Sequence, residues 1–263
     1  MQDLVVTLVQ TNLHWQDATA NLDMLEEKLK SIPTATDLIV LPEMFATGFS
    51  MEAEALAQEM NGETVTWMKR MAELQQAVIT GSLIIHDKGR YYNRLLWVRP
   101  DQTVEQYDKK HLFRMAGETH VYSPGTQHLM VELKGWRIYP LVCYDLRFPV
   151  WSRNVADGGY DLLLYVANWP EVRSNAWKTL LQARAIENIA YTVGVNRVGA
   201  DGKGINHSGD SMVVDPKGNI LVQLAHHESH HTLSLSRQEL ENFRKKFPAL
   251  LDADPFTLRV LPE

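Results

Sequence analysis

The chain has 263 residues and a mass of 30.0 kDa, enough for one domain with a sizeable core. Hydrophobic residues make up 45% of the chain and charged residues 22%, ordinary values for a folded globular protein, so disorder is not expected. The net charge of -6, without a clustered basic segment, argues against a nucleic-acid partner.

In the first half of the chain, apolar runs of strand length alternate with segments of helical spacing. Leu22, Leu25 and Leu29 fall on one face of the first predicted helix. A later segment reads as a hairpin whose turn holds Pro100 and Asp101. The predicted strands cover 4–10, 36–44 and 77–86, the helices 17–32 and 62–76, and the hairpin 89–109.

The second half repeats this alternation, and in its longer predicted helix Trp177, Leu181 and Ile189 keep close to a 3.6-residue period. The predicted strands cover 136–144, 160–170 and 191–199, the helices 149–158 and 174–190, and a hairpin 210–224 that turns at 215–218. Buried strands that alternate with helices predict an α/β layered protein. Because no linker, repeat or low-complexity tract interrupts the pattern, we expect a single domain over residues 1–263.

The N-terminus and the cysteine content indicate a cytosolic protein. Asp3 precedes a short apolar alternation, where a secretory signal would have a basic start and a longer apolar stretch. No run approaches the ~18 apolar residues of a membrane helix, so no membrane contact is expected. The single cysteine, Cys143, cannot form an internal disulfide, which fits a reducing compartment and leaves its thiol free.

Reactive side chains end several of the predicted strands. Glu43 ends one apolar run, Cys143 ends another, and Lys109, Lys110 and His111 follow the first hairpin. In open α/β sheets, ligands bind beyond the carboxyl ends of the strands, so a base, a cation and a thiol are predicted to share one edge. Each has a structural alternative: a buried cysteine packs as a small hydrophobe, and isolated glutamates and lysines usually lie on the surface.

The sequence resembles the nitrilase superfamily of carbon-nitrogen hydrolases. The resemblance rests on "LPEMFATGF", "YDKKHLF" and "CYDLRFP", which occur in the family's order and spacing, and it extends over essentially the whole chain. Within the superfamily the sequence is most similar to the ω-amidase branch. That branch hydrolyses the terminal amide of α-ketoglutaramate and α-ketosuccinamate, so the resemblance implies a small-molecule amide as substrate.

The resemblance implies a catalytic triad of Glu43 as general base, Lys109 as the catalytic lysine and Cys143 as nucleophile. The family pattern selects Lys109 because it places the lysine two residues before "HLF". The family has an additional acidic residue six positions before a Pro-Gly pair, and in this sequence that residue is Glu118. It would orient Lys109 and the substrate amide. A departure from the family is the aspartate directly before the lysine, where arginine is often found.

The chemistry of these residue types agrees with an amidase. Glu43 would take the thiol proton and pass it to departing ammonia. Lys109 and the backbone N–H of Tyr144 would hold the oxyanion, and a thioester would form and be hydrolysed. Arg147 and Arg173, near predicted strand ends, are candidates to hold a substrate carboxylate, although surface ion pairs are the alternative.

The resemblance further implies a four-layer αββα sandwich, a homodimer, and no metal or organic cofactor. Among the tryptophans, Trp169, beside a strand end, is the best candidate for the pocket, with core packing as the alternative. Another carbon-nitrogen hydrolase that acts on nitriles or N-carbamoyl compounds is the nearest rival function. A binding module without turnover and a redox-sensing thiol are rivals from other classes, although the chain has no resolving cysteine.

Two further stretches imitate functional motifs. His227, Glu228 and His231 have the zinc-protease spacing, but the residues that follow alternate with the period of a strand. We therefore predict a polar hairpin end or surface loop here and no metal site. The glycine-rich stretch at 201–206 lacks the full phosphate-loop pattern and is predicted to be a turn.

Overall fold

Two six-stranded mixed sheets form the centre of the molecule in a computed structural model that describes residues 2–32 and 35–258. In chain order the strands are β1 (Leu4–Gln10), β2 (Leu38–Val40), β3 (Val78–Asp87), β4 (Arg90–Val98), β5 (Val104–Asp108), β6 (Val131–Leu133), β7 (Trp136–Val142), β8 (Leu162–Ala167), β9 (Tyr191–Asn196), β10 (Val198–Ala200), β11 (Asn206–Ser208), β12 (Met212–Val214), β13 (Ile220–Gln223) and β14 (Ser229–Leu235). The helices are α1 (Ala18–Lys30), α2 (Ala53–Leu56), α3 (Glu63–Gln75), α4 (Glu118–Val121), α5 (Ser174–Asn188) and α6 (Arg237–Lys246).

The two large sheets have related topologies. The strand order is β14-β1-β2-β3-β4-β5 in the first sheet and β13-β12-β9-β8-β7-β6 in the second, while β10 and β11 form a separate hairpin. In each large sheet the three central strands run parallel. Parallel strands are covered on both faces, which explains why a strand such as β8 is a continuous buried apolar run.

Helices cover the outer faces of the stacked sheets. Leu25 of α1 and Met68 of α3 pack on the outer face of the first sheet. On the second sheet, Trp177 of α5 has the same role. Between the sheets lies a shared core that includes Trp97 from the first and Leu141 from the second. The prediction of an α/β sandwich with helices outside two stacked sheets is confirmed.

Most predicted elements are present, but the helix predicted over 149–158 is wrong, because this segment forms turns. The Asn154 side chain supplies the hydrogen bonds that a helix would otherwise make. Its Oδ1 accepts from the N–H groups of Val155 at 3.0 Å and Tyr160 at 2.9 Å, and its Nδ2 donates to the Tyr160 carbonyl at 3.0 Å. Asparagine often competes with helix formation in this way.

Of the stretches that imitate functional motifs, residues 226–228 form the predicted loop, but His231 lies in a strand. Residues 229–235 form β14, which pairs with β1, so His227 and His231 do not share a helical turn. Within residues 2–32 and 35–258, no group of three metal-ligating side chains is placed to hold an ion. Residues 201–205 connect β10 to β11 through a turn. No helix in the described part of the chain combines the length and apolar character needed to cross a membrane.

Candidate active site

Strand ends from both sheets bring three reactive side chains to one buried place. Glu43 follows β2, Lys109 follows β5 and Cys143 follows β7. Glu118, the first residue of α4, joins them. Lys109 Nζ donates to Glu43 Oε1 at 2.9 Å and to Glu118 Oε2 at 2.9 Å. Residues that are far apart in the sequence therefore form one cluster, closed from solvent on most sides.

The cysteine lies at the start of a tight turn. Cys143 begins a 3₁₀ helix over Cys143–Arg147, and its φ is 44°. This left-handed conformation is costly for a residue with a Cβ, by about 1–3 kcal/mol, and persists only where the surroundings enforce it. The N–H of Tyr144 lies in the first turn of the helix, where N–H groups have no intrahelical partner. The Tyr144 N–H therefore makes no hydrogen bond within the helix, and it directly follows the residue that carries the thiol.

Burial and charge together set the protonation states of the cluster. Burial, and then the charge of Glu43, raise the pKa of the Cys143 thiol well above its usual range, while Lys109 opposes them. Burial acts to lower the pKa of Lys109, but the charges of Glu118 and Glu43 outweigh it and raise that pKa. At neutral pH the resting site thus holds a protonated thiol beside an ammonium.

Two buried asparagines that the sequence analysis did not identify fix the Glu43 carboxylate. Asn93 Nδ2 donates to Glu43 Oε1 at 2.7 Å and to Glu118 Oε1 at 3.3 Å. The backbone N–H of Asn168 donates to Glu43 Oε2 at 2.8 Å, and its side-chain amide donates to the Glu43 carbonyl. Both carboxylate oxygens of Glu43 are therefore held before any substrate arrives.

The segment around Lys109 is held from both sides. Arg94 forms two hydrogen bonds with the carboxylate of Asp108, at 2.6 and 3.0 Å, so the aspartate that departs from the family pattern has a partner. Gly125, of the Pro-Gly pair, donates its N–H to the Lys109 carbonyl at 2.9 Å. A Cβ at Gly125 would lie 2.0 Å from the Asp108 carbonyl oxygen, which explains why glycine is required at this position.

The cluster opens into a cavity of about 90 Å³. Its wall contains Arg147 and Arg173, and within the described ranges neither guanidinium has a carboxylate within 4.0 Å. Arg147 instead lies over the Trp169 ring, with Cζ 4.9 Å from the ring centroid. The complete lining is Glu43, Phe49, Lys109, Phe113, Ala116, Cys143, Tyr144, Arg147, Asn168, Trp169, Pro170, Arg173, Asp201, Lys203, Ile205 and His207.

Glu118 lies behind Lys109 rather than on this wall, and Lys110 and His111 lie outside it, while the other predicted site residues line the cavity: Glu43, Lys109, Cys143, Tyr144, Arg147, Trp169 and Arg173. One part of the cavity wall was not predicted from the sequence. It consists of Lys203 and His207, which lie in the turn and the strand after β10. Burial, and then the charge of Arg197, lower the pKa of His207 to about 4, so its imidazole is neutral at physiological pH. The stretch at 201–206 was predicted to be a turn from its two glycines and lysine, a pattern that gives no signal of a cavity wall.

Comparisons with known proteins assign the chain to a family. The carbon-nitrogen hydrolase family profile matches residues 5–245. The chain is 51% identical over 261 residues to Omega-amidase YafV of Escherichia coli K12, covering 98% of this chain and all of that protein. It is 28% identical over 250 residues to the 2-oxoglutaramate amidase of Bacillus subtilis, covering 94% and 96% of the two chains.

A solved structure gives the same result. A carbon-nitrogen hydrolase superfamily protein of Xanthomonas campestris, crystallised with an arsenic adduct in its active site, superposes with a TM-score of 0.97. It is 46% identical and the match covers 98% of this chain and all of that one. The chain therefore belongs to the carbon-nitrogen hydrolase family, and the resemblance predicted from its three motifs is confirmed. It is a hydrolase that acts on carbon-nitrogen bonds.

Proposed function

We propose that this protein is an ω-amidase, which hydrolyses the terminal amide of small dicarboxylate monoamides such as α-ketoglutaramate or α-ketosuccinamate and releases ammonia. One observation carries the proposal: Lys109 Nζ lies 2.9 Å from both a Glu43 and a Glu118 oxygen, at the wall of a cavity that Cys143 also lines. The names of the relatives that match nearly the full chain, Omega-amidase YafV and 2-oxoglutaramate amidase, support the choice of substrate.

In the acylation half of the reaction, Glu43 takes the thiol proton as Cys143 Sγ attacks the amide carbon. The raised thiol pKa makes this transfer necessary, since little thiolate exists in the resting site. The Lys109 ammonium and the Tyr144 N–H hold the oxyanion of the tetrahedral intermediate. Glu43 then gives its proton to the amide nitrogen, the carbon-nitrogen bond breaks, and ammonia leaves a thioester.

In the deacylation half, water attacks the thioester carbon and Glu43 takes a proton from it. The same two donors hold the second oxyanion. The carbon-sulfur bond then breaks, the proton returns to sulfur, and the free acid leaves. Asn93 and Asn168, which bond the two Glu43 oxygens, keep the carboxylate in one orientation through both halves.

Arg147 and Arg173 are proposed to hold the substrate carboxylate, because both line the cavity without a carboxylate partner in the described structure. Replacing either with leucine is expected to raise KM for an acidic ω-amide by roughly tenfold or more, the loss of one charge-assisted hydrogen bond. KM for a neutral amide of the same length should change by about twofold at most, since it has no carboxylate. Steady-state ammonia release with succinamate and butyramide measures the difference.

A matched control for the arginine variants is Arg99→Leu, because Arg99 pairs with Glu105 at 2.8 Å on another part of the surface. It should leave both KM values unchanged. Equal losses on the acidic and neutral amides would show that the cavity arginines support the fold of the site rather than the carboxylate.

The proposed function is tested by initial rates of ammonia release from α-ketoglutaramate, a nitrile and an N-carbamoyl amino acid, each at equal concentration. We expect the ketoacid amide to have the highest kcat/KM. A higher value for the nitrile or the carbamoyl compound would replace the ω-amidase with the rival hydrolase. Absence of turnover on every compound, with no adduct on Cys143 by mass spectrometry, would favour a binding module.

The remaining proposals concern the whole chain. We propose that residues 1–263 act as one domain, which the core shared by both sheets supports.

We further propose a cytosolic homodimer. Val150, Val155 and Leu251 are exposed along one groove, at 52%, 49% and 74%, and contiguous exposed apolar side chains are typical of contact surfaces. Light scattering on the purified protein measures the mass, and a value near 30 kDa would contradict the dimer.

A further inference from the structure

A buried carboxylate that does not line the cavity connects the two segments that carry the reactive groups. Asp145 is fully buried and accepts four hydrogen bonds. The donors are the Val142 N–H at 3.1 Å, the Tyr107 hydroxyl at 2.8 Å, the His111 N–H at 3.0 Å and His111 Nδ1 at 2.8 Å. One carboxylate thus bonds three separate residues on two strand ends.

The positions of these donors in the sequence are informative. Val142 directly precedes Cys143, while Tyr107 and His111 lie two residues before and two residues after Lys109. The carboxylate therefore ties the turn that holds the thiol to the loop that holds the ammonium. Because β5 and β7 belong to different sheets, no backbone ladder makes this connection.

Both side-chain donors are themselves held in place. The Tyr107 hydroxyl accepts from Trp151 Nε1 at 2.9 Å, and burial followed by the charge of Asp145 raises its pKa, so it stays a donor. The His111 ring stacks on Phe148, with centroids 3.8 Å apart and planes 7° apart. This stacking aims Nδ1 at the carboxylate.

We propose that Asp145 and His111 are positioning residues, whose hydrogen bond sets the distance between the Cys143 thiol and the Lys109 ammonium. The inference rests on the proposed roles of Cys143 and Lys109. Neither positioning residue touches the substrate. The Cys143 backbone is in a costly left-handed conformation, and Asp145 enforces it by capping the Val142 N–H at the start of the turn.

The test compares two substitutions at one position. In His111→Asn, the side-chain Nδ2 is the same number of bonds from Cα as the histidine Nδ1, so the hydrogen bond to Asp145 can be kept. In His111→Leu it is lost. We expect His111→Leu to lower kcat for α-ketoglutaramate about 10- to 100-fold with KM within about twofold, the effect of a misplaced reacting group. His111→Asn should stay within about threefold of the parent enzyme.

Alkylation of the thiol by iodoacetamide provides a readout that needs no substrate. Cys143 is the only cysteine in the sequence, so the second-order rate constant reports this site alone. We expect it to fall in His111→Leu and to recover in His111→Asn. His120→Leu, which removes an exposed histidine nearby, is the matched control and should change neither rate. Tyr107→Phe removes another donor to the same carboxylate and should lower kcat less than His111→Leu.

Equal losses in His111→Asn and His111→Leu, or full activity and alkylation in His111→Leu, would overturn the positioning role. If His111→Leu does not fold, Tyr107→Phe is compared with the parent enzyme instead. An unchanged kcat and an unchanged alkylation rate in Tyr107→Phe would also overturn the positioning role. Failure of the proposed function is distinguishable: the parent enzyme would then turn over a nitrile or an N-carbamoyl compound faster than α-ketoglutaramate, or turn over nothing. The alkylation rates would still test the connection between the two segments.

Discussion

Replacing Cys143 with alanine is expected to lower the rate of ammonia release by a factor on the order of 10⁴ or more, because it removes the nucleophile that forms the acyl intermediate. The fold should persist, since the substitution removes one sulfur atom from a turn whose hydrogen bonds come from Asp145 and the backbone. Release of ammonia from α-ketoglutaramate measures activity, and thermal unfolding measures stability.

The serine variant sharpens this experiment. Cys143→Ser keeps the size of the side chain and a proton for Glu43 to accept, but its alkoxide is far harder to form than a thiolate, so we expect turnover to stay very low. Mass spectrometry with substrate should show an acyl adduct on the parent enzyme and none on either variant. Turnover by Cys143→Ser at a rate close to that of the parent would rule out the thiol as nucleophile.

Replacing Lys109 with methionine is expected to cost both stability and activity. Its ammonium bonds Glu43 and Glu118, two fully buried carboxyl groups, and without it burial and the charge of Glu43 would raise the pKa of Glu118 with no cation to oppose them. Removing one partner of a buried ion pair typically costs about 3–5 kcal/mol of unfolding free energy. Loss of an oxyanion donor should lower kcat by a further ~10²- to 10³-fold. Urea unfolding and steady-state kinetics measure the two effects.

The neighbouring lysine supplies the control for that experiment. Lys110 Nζ lies 5.7 Å from the Trp151 ring centroid and has no carboxylate within 4.0 Å in the described ranges, so Lys110→Met should change neither stability nor kcat substantially. Adding Glu118→Gln to Lys109→Met should restore part of the stability, because it removes a buried carboxyl group that has lost its cation, without restoring activity. A larger loss from Lys110→Met than from Lys109→Met would contradict the assignment of the catalytic lysine.

The pattern of hydrophobic residues was enough to predict most elements of the fold. Leu22, Leu25 and Leu29 form the buried face of α1, as their spacing indicates, and the hairpin with Pro100 and Asp101 in its turn joins β4 to β5. The wrong helix at 149–158 shows the limit of such patterns. The conformation of this segment depends on a hydrogen bond from the Asn154 side chain to the carbonyl of Tyr160, six residues later. The spacing of hydrophobic residues does not indicate such a bond.

Side-chain chemistry at strand ends predicted that a carboxylate, a cation and a thiol share one edge, and the family resemblance selected Lys109 and added Glu118, but neither predicted the groups that hold them. Asn93 bonds Glu43 across 50 positions in the chain, and Asn168 bonds it across 125. Lys203 enters the cavity wall from a turn that showed only a glycine-rich sequence. An asparagine in a strand or a lysine in a turn is chemically ordinary until the fold places it beside a reactive group.

The sequence by itself determined the alternation of strands and helices and the motifs of the family, and it predicted which thiol, carboxylates and lysine form the site. Each of these depends on neighbouring positions or on short spacings. Only the tertiary structure decided which donors fix Glu43, which side chains close the cavity, and that Asp145 joins the two segments. These contacts arise where two sheets stack, and the stacking brings together residues whose separation along the chain carries no local signal.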